Sequence, residues 1–159
     1  EKTKVVSFGR FEKENAKRTG RKANTFDFLG ITHYIGISQR GGFKVGRKTS
    51  GKRFRRSMVA MNRWLATARN TLPLKDLWKQ LAAKMKGHYG YYGVSDNSRS
   101  LNAYYYKVKR MVYKWLNRRS QRASMNWDNL CAYVEKFPLP KPRIVHQFYV
   151  PYKLCKATC

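Results

Sequence analysis

Carboxylates are what this sequence has least of. Its 159 residues hold 35 lysines and arginines against 8 aspartates and glutamates, a formal net charge of +27. Self-repulsion on that scale destabilises a compact state, so a polyanionic partner is expected in the working form, nucleic acid before any other. Cysteine is scarce too. Cys131, Cys155 and Cys159 make an odd number with no C-x-x-C pair, which supports neither a disulfide framework nor a zinc site. No run approaches the roughly 18 apolar residues of a spanning helix, and the start of the chain has no signal-peptide apolar region. The expectation is therefore a soluble intracellular chain without a membrane partner. The aspartates Asp27, Asp76, Asp96 and Asp128 stand far apart, and His33, His88 and His146 are scattered. No two-metal carboxylate pair and no Ser/His/Asp or Cys/His arrangement can be built from them.

What is present argues for a packed fold. Hydrophobic residues make up 42% and aromatics 14%, enough apolar surface to offset ordering entropy. The length suits one domain or a domain with an appendage.

The stretch 104–122, YYYKVKRMVYKWLNRRSQR, organises the rest. Leu101, Tyr104, Tyr105, Val108, Met111, Val112, Trp115 and Leu116 recur at helical spacing and form one apolar stripe. Lys107, Lys109, Arg110, Lys114, Arg118, Arg119 and Arg122 occupy much of the remainder, and no carboxylate occurs between Asp96 and Asp128. A solvated helix would interleave both signs to gain i,i+4 pairs. This one forgoes them.

Upstream, residues 3–8 form a short β-like run, and residues 9–24 read as a flexible polar loop. Residues 25–37 return to β-branched and aromatic types, and Arg40-Gly41-Gly42 reads as a hairpin turn into 43–48. Three strands are expected to meander here. Residues 44–56 pack seven basic residues around two glycines and a serine, a patch that can track phosphates without regular structure. Phe54, Met58, Met61, Leu65 and Ala68 mark a first amphipathic helix, ending near Asn70 and Pro73. Leu74, Leu77, Trp78, Leu81 and Met85 mark a second, running into Gly87-His88-Tyr89-Gly90-Tyr91-Tyr92-Gly93. Asp96-Asn97-Ser98 is a turn and cap signal for the third, and Asn126 caps a fourth with Trp127, Leu130, Cys131 and Val134 inward. Pro138, Pro140 and Pro142 force an extended segment; residues 144–152 pack back as a strand or an irregular tail. The order, strands then helices, predicts an α+β fold: a short antiparallel β segment followed by a mainly α-helical bundle. Trp64, Trp78, Trp115 and Trp127 all fall on apolar stripes and are expected in its core.

Read in order, Glu1-Lys2-Thr3, Phe26-Asp27-Phe28-Leu29-Gly30, Gly87-His88-Tyr89 with Tyr92-Gly93, Asn97, Arg118-Arg119-Ser120-Gln121 and Leu139-Pro140-x-Pro142-x-Ile144-x-His146 resemble the group II intron reverse transcriptase/maturase family. The likeness is to its C-terminal part and spans about residues 1–148. It implies the last palm strands over 1–50, a helical thumb or maturase (X) domain over 51–137, and a proline-rich basic tail over 138–159. Phe28, Leu29 and Gly30 match the family's primer-grip turn; from residue types alone they read rather as a buried strand with a glycine turn. RNA contacts are expected from Arg53, Arg55 and Arg56, from His88, Tyr92 and Asn97, and from Lys107, Arg110, Lys114, Arg118, Arg119, Gln121 and Arg122. Arginine suits this work because its planar fork bonds phosphate bidentately and stacks on bases. Tyr89 and Tyr92 could instead fill the bundle core.

The resemblance also implies partners and limits. Group II intron RNA and a template–primer duplex are the expected partners, with a DNA target as a further one. The family's catalytic aspartates, and the Mg2+ they hold, are expected upstream of Glu1, so no cofactor is expected for this chain. On that basis the chain alone is not a polymerase. It is an RNA-binding piece, the C-terminal part of an active RNA-directed DNA polymerase, or a generic nucleic-acid binder. A bacterial cytoplasm is the default location and an organelle the alternative.

Overall fold

A computed structural model describes residues 5–118 and 126–149. The order is α1 (Glu12–Arg18), β1 (Phe26–Phe28), β2 (Ile31–Ile37), β3 (Phe43–Thr49), α2 (Gly51–Thr71), α3 (Leu74–Tyr92), α4 (Ser98–Leu116) and α5 (Trp127–Lys136). The three strands form an antiparallel meander, β1-β2-β3, and most helical residues follow it. The fold is α+β.

The sheet differs from the sequence reading in where its strands lie. Residues 5–8 form no strand, and the apolar run at 25–37 is broken in two. The break is a two-residue turn: Leu29 and Gly30 both take positive φ, 49° and 79°, and Phe28 pairs with Ile31 across it. Positive φ at both central positions gives a turn whose twist matches that of the strands it joins. Between β2 and β3, Gly41 at φ 80° lets Ser38 N–H reach the Gly42 carbonyl at 2.8 Å. Gly46 lies opposite Tyr34, whose ring covers the space a Cβ would need.

Residues 9–24 are not a loop throughout. They contain α1, held by a carboxylate that no local pattern announces. Glu12 is buried, and it accepts hydrogen bonds from the Arg21 guanidinium, from Ser7 Oγ at 3.1 Å and from Asn24 N–H at 3.3 Å. Nor is the basic run 44–56 irregular: it forms most of β3 and the first turns of α2.

The helices follow their apolar stripes. Met58, Met61, Leu65 and Ala68 of α2 meet Leu77, Trp78, Leu81, Met85 and Tyr89 of α3, and Leu101, Tyr104, Val108, Val112 and Leu116 of α4. Leu130 and Val134 of α5 and Leu139 beyond it close the same core. Burial of each fully enclosed leucine contributes roughly 1.5–3 kcal/mol. Ser50 and Asn126 accept from Arg53 N–H and Asn129 N–H, capping α2 and α5. α2 stops where Pro73 holds Leu72 extended. α3 continues through Gly87 and Gly90 to Tyr92.

Asn97 makes a buried join between the sheet and the helices. Asn97 is fully buried, and its side chain does not cap α4. Its Oδ1 accepts from Thr49 N–H at 2.8 Å, while its Nδ2 donates to Thr49 Oγ1 at 2.8 Å and to the Tyr92 carbonyl at 2.7 Å. One amide thus ties the end of β3 to the end of α3. After α5 the chain is extended. Val145 and His146 N–H groups donate to the Gly93 carbonyl, and Val94 bridges His146 in parallel, so the tail is irregular over its described residues, up to 149, with one β-bridge among them.

Candidate nucleic-acid interface

The helical period that buries the α4 stripe places Lys107, Arg110 and Lys114 outside, at spacings of three and four. They border a groove of about 1050 Å³ between α2, α4 and the start of α5. Its floor is Met58, Val59, Met111 and the rings of Tyr106, Tyr113 and Trp127; Arg63 and Lys109 complete the rim. No carboxylate lines it. The described ion pairs, Arg21–Glu12 and Lys44–Asp96, involve none of these cations.

Arg53, Arg55 and Arg56 stand exposed on the first turns of α2. A Cβ placed on Gly30 would lie 3.0 Å from Arg53 Cγ and 3.4 Å from the Tyr92 hydroxyl, so the β1–β2 turn rests against both side chains. Tyr91 donates to the Leu29 carbonyl at 2.8 Å. Phe28 and Leu29 are 61% and 67% exposed, so this hairpin end presents its apolar side chains outward and is not a buried strand end. Desolvation chiefly, and Tyr91 beside it, raise the Tyr92 hydroxyl pKa above its ordinary value, while Arg53 pulls it down.

Several expected contacts sit elsewhere. Asn97 has no surface to offer RNA, since the Thr49 and Tyr92 groups occupy its amide inside the protein. His88 is half-buried and lies flat on Tyr104, centroids 3.6 Å apart and planes within 7°. Burial lowers its pKa to about 4, and its Nε2 has no hydrogen-bond partner among the described residues. It is a neutral ring packed against the core rather than a cationic contact. Tyr104 is correspondingly pushed up to about 12 by burial, and Tyr89 is raised by the same cause. Tyr92 is partly buried against this cluster. Arg118 is exposed, its guanidinium 5.6 Å from the Trp115 ring, on which Arg69 and Lys114 also lie. Arg119, Gln121 and Arg122 lie outside the described residues.

On the sheet, Lys44 is neutralised by Asp96, and Arg47 packs on Phe148 and Tyr149 of the tail. Lys44 is thereby held above its ordinary pKa, by the Asp96 hydrogen bond first.

Tyr106 and Trp127 are among the groove residues that sequence reasoning missed. Trp127 was expected in the core but is 41% exposed, because the first position of α5 overhangs the bundle; Tyr106 is 64% exposed. The available signal was position: Tyr106 falls between Tyr104 and Val108, off the buried stripe.

Asp27, Asp76, Asp96 and Asp128 lie on β1, α3, the turn before α4, and α5. Among the described residues no three His, Cys, Asp or Glu side chains come together as a metal site, and no helix is long and apolar enough to cross a membrane. No protein-family model, curated protein or solved structure matches the chain.

Proposed function

We propose that this chain is the RNA-binding thumb/maturase portion of a group II intron reverse transcriptase. It holds folded intron RNA in its splicing-active form, and it grips a template–primer duplex where a palm is present. The observation that carries this reading is the carboxylate-free groove rimmed by Lys107, Arg110 and Lys114. The ordered motif series supplies the family. Cations in line along one helix, with no carboxylate partner among the described residues, neutralise phosphates and release their counterions, which is the usual source of nucleic-acid affinity. The outward hairpin end at Phe28 and Leu29, backed by Arg53 and Tyr92, supports a primer-grip role for that turn.

On this reading the RNA performs the splicing chemistry and the protein positions it. On the same reading the chain grips RNA and is not itself the polymerase centre. Its compartment is a bacterial cytoplasm or an organelle that hosts such introns.

The test is a triple substitution, Lys107→Gln, Arg110→Gln and Lys114→Gln, with intron RNA binding followed across salt. Each lost phosphate contact should flatten the logarithmic salt slope by about 0.7–0.9, so the three together should remove roughly 2–3. An unchanged slope would place the RNA on another surface.

A further inference from the structure

The groove between α2 and α4 has more than charge. A phosphate clamp needs cations alone, yet this one has two exposed rings, Tyr106 and Trp127, that the core does not use. Tyr106 points away from the buried stripe, touching Tyr105 edge-on at 5.6 Å. Trp127 meets Tyr113 edge-on at 5.3 Å, with Lys109 Nζ 5.1 Å from its ring centre.

We propose that this groove holds an unpaired stretch of RNA, with bases laid on Tyr106 and Trp127 and the flanking phosphates on Lys107, Arg110 and Lys114. The inference rests on the RNA-binding reading above and adds to it which form of RNA the groove takes. A paired A-form helix hides its base faces in the stack and presents backbone and shallow edges, leaving an aromatic floor nothing to stack on. Splayed bases offer those faces, and aromatic platforms flanked by cations are how single strands are held. The volume, about 1050 Å³, lies at the top of the usual range for small-ligand pockets and leaves room for a short strand. An acidic peptide would satisfy the rim equally, but flat outward rings favour planar bases over a peptide's side chains. Lining cations without any carboxylate supply the complementarity to a phosphate chain.

The test uses the full chain and a fluorescein-labelled, unstructured CA-repeat RNA, beside the blunt duplex made from it, the DNA strand of the same sequence, and polyglutamate as competitor. Tyr106→Ala and Trp127→Ala should each weaken binding of the RNA strand roughly 5- to 100-fold. Duplex binding should barely move, and Tyr106→Phe should keep most of the affinity. Tyr106 is exposed, so its variants should melt like the parent, which separates lost stacking from lost folding. Unchanged strand binding by Tyr106→Ala, or equal losses for strand and duplex, would overturn the proposal. So would tighter binding of the DNA strand, or displacement by polyglutamate that shows the same sensitivity to Tyr106→Ala. If the triple glutamine variant loses RNA and the aromatic variants do not, the RNA-binding reading stands and this inference falls. If neither set changes RNA binding, both fall.

Discussion

Replacing Asn97 should weaken the join between the sheet and the helices. Its amide makes three hydrogen bonds, two buried ones with Thr49 N–H and Thr49 Oγ1 and a part-buried one to the Tyr92 carbonyl. Asn97→Ala leaves the Thr49 N–H without its partner in a site that solvent does not reach, while the Tyr92 carbonyl keeps the Val94 N–H at 2.8 Å. The orphaned N–H costs about 1–3 kcal/mol and the two other lost hydrogen bonds about 0.5–1.5 kcal/mol each, and water entering the vacated space returns part of it, so the expected loss is on the order of 2–4 kcal/mol. That is a large share of the roughly 5–15 kcal/mol available to a domain. Asn97→Asp keeps the acceptor for Thr49 N–H but sets a second oxygen against the Tyr92 carbonyl and buries a charge. It should cost at least as much at neutral pH. Its folded pKa must lie above the unfolded value of about 3.9, so part of the lost stability should return as pH falls and the carboxyl protonates. Urea unfolding gives both numbers. All four tryptophans lie in α2 to α5, so their fluorescence reports the helices alone while circular dichroism reports the whole chain. Separated transitions are expected for the alanine variant. A loss below about 1 kcal/mol, or an aspartate variant more stable than the alanine one at neutral pH, would refute the junction.

Three further outcomes follow from the packing. Glu12 is held below its ordinary pKa of 4.5, first by the Arg21 hydrogen bond, so its stabilisation is present above 4.5 and is lost as pH falls through the lower folded value; Glu12→Gln should remove that acid sensitivity, read as the urea midpoint against pH. His88 is lowered from 6.5 to about 4 by burial, so the unfolded chain binds its proton first and stability should fall as pH drops from 6.5 to about 4, by up to roughly 3 kcal/mol; an imidazole NMR titration with a midpoint above 6 would contradict this. Gly46→Ala should cost about 1–3 kcal/mol through overlap with the Tyr34 ring, and pairing it with Tyr34→Ala should recover part of the loss; additive costs in a double-mutant cycle would count against that contact.

The helices were legible because their apolar residues recur every three or four positions and the bundle buries that stripe. Ser50 aside, the cap signals at Asn126 and Pro73 marked element ends for local reasons. The β2–β3 hairpin was legible for the same reason, since Gly41 carries the positive φ its turn requires. What escaped depends on distant partners. α1 has only seven residues and exists because Glu12 meets Ser7, Arg21 and Asn24, a set no periodicity encodes. Asn97 reads as a cap, but Thr49 sits 48 residues away in sequence and claims its amide. Trp127 obeys the apolar period of α5, yet at the first position of the helix it reaches past the bundle into the groove. His88 looked like a surface contact beside three tyrosines, and its stacking on Tyr104 depends on how α3 and α4 meet. Of the proposed contacts, Lys107, Arg110 and Lys114 were legible as the complement of a buried stripe. The groove beside them was not, because α2 supplies its other wall.

The central claim is that this basic face recognises folded intron RNA rather than phosphate in general. Binding of a folded group II intron RNA and of an unstructured RNA of equal length, titrated from low to moderate salt, tests it directly. A purely electrostatic binder with about 6–10 phosphate contacts loses roughly 10³–10⁵ in affinity over such a range, by analogy with DNA. The account predicts that both affinities fall and that the folded intron keeps a clear advantage at the higher salt. Two curves that fall together would contradict it.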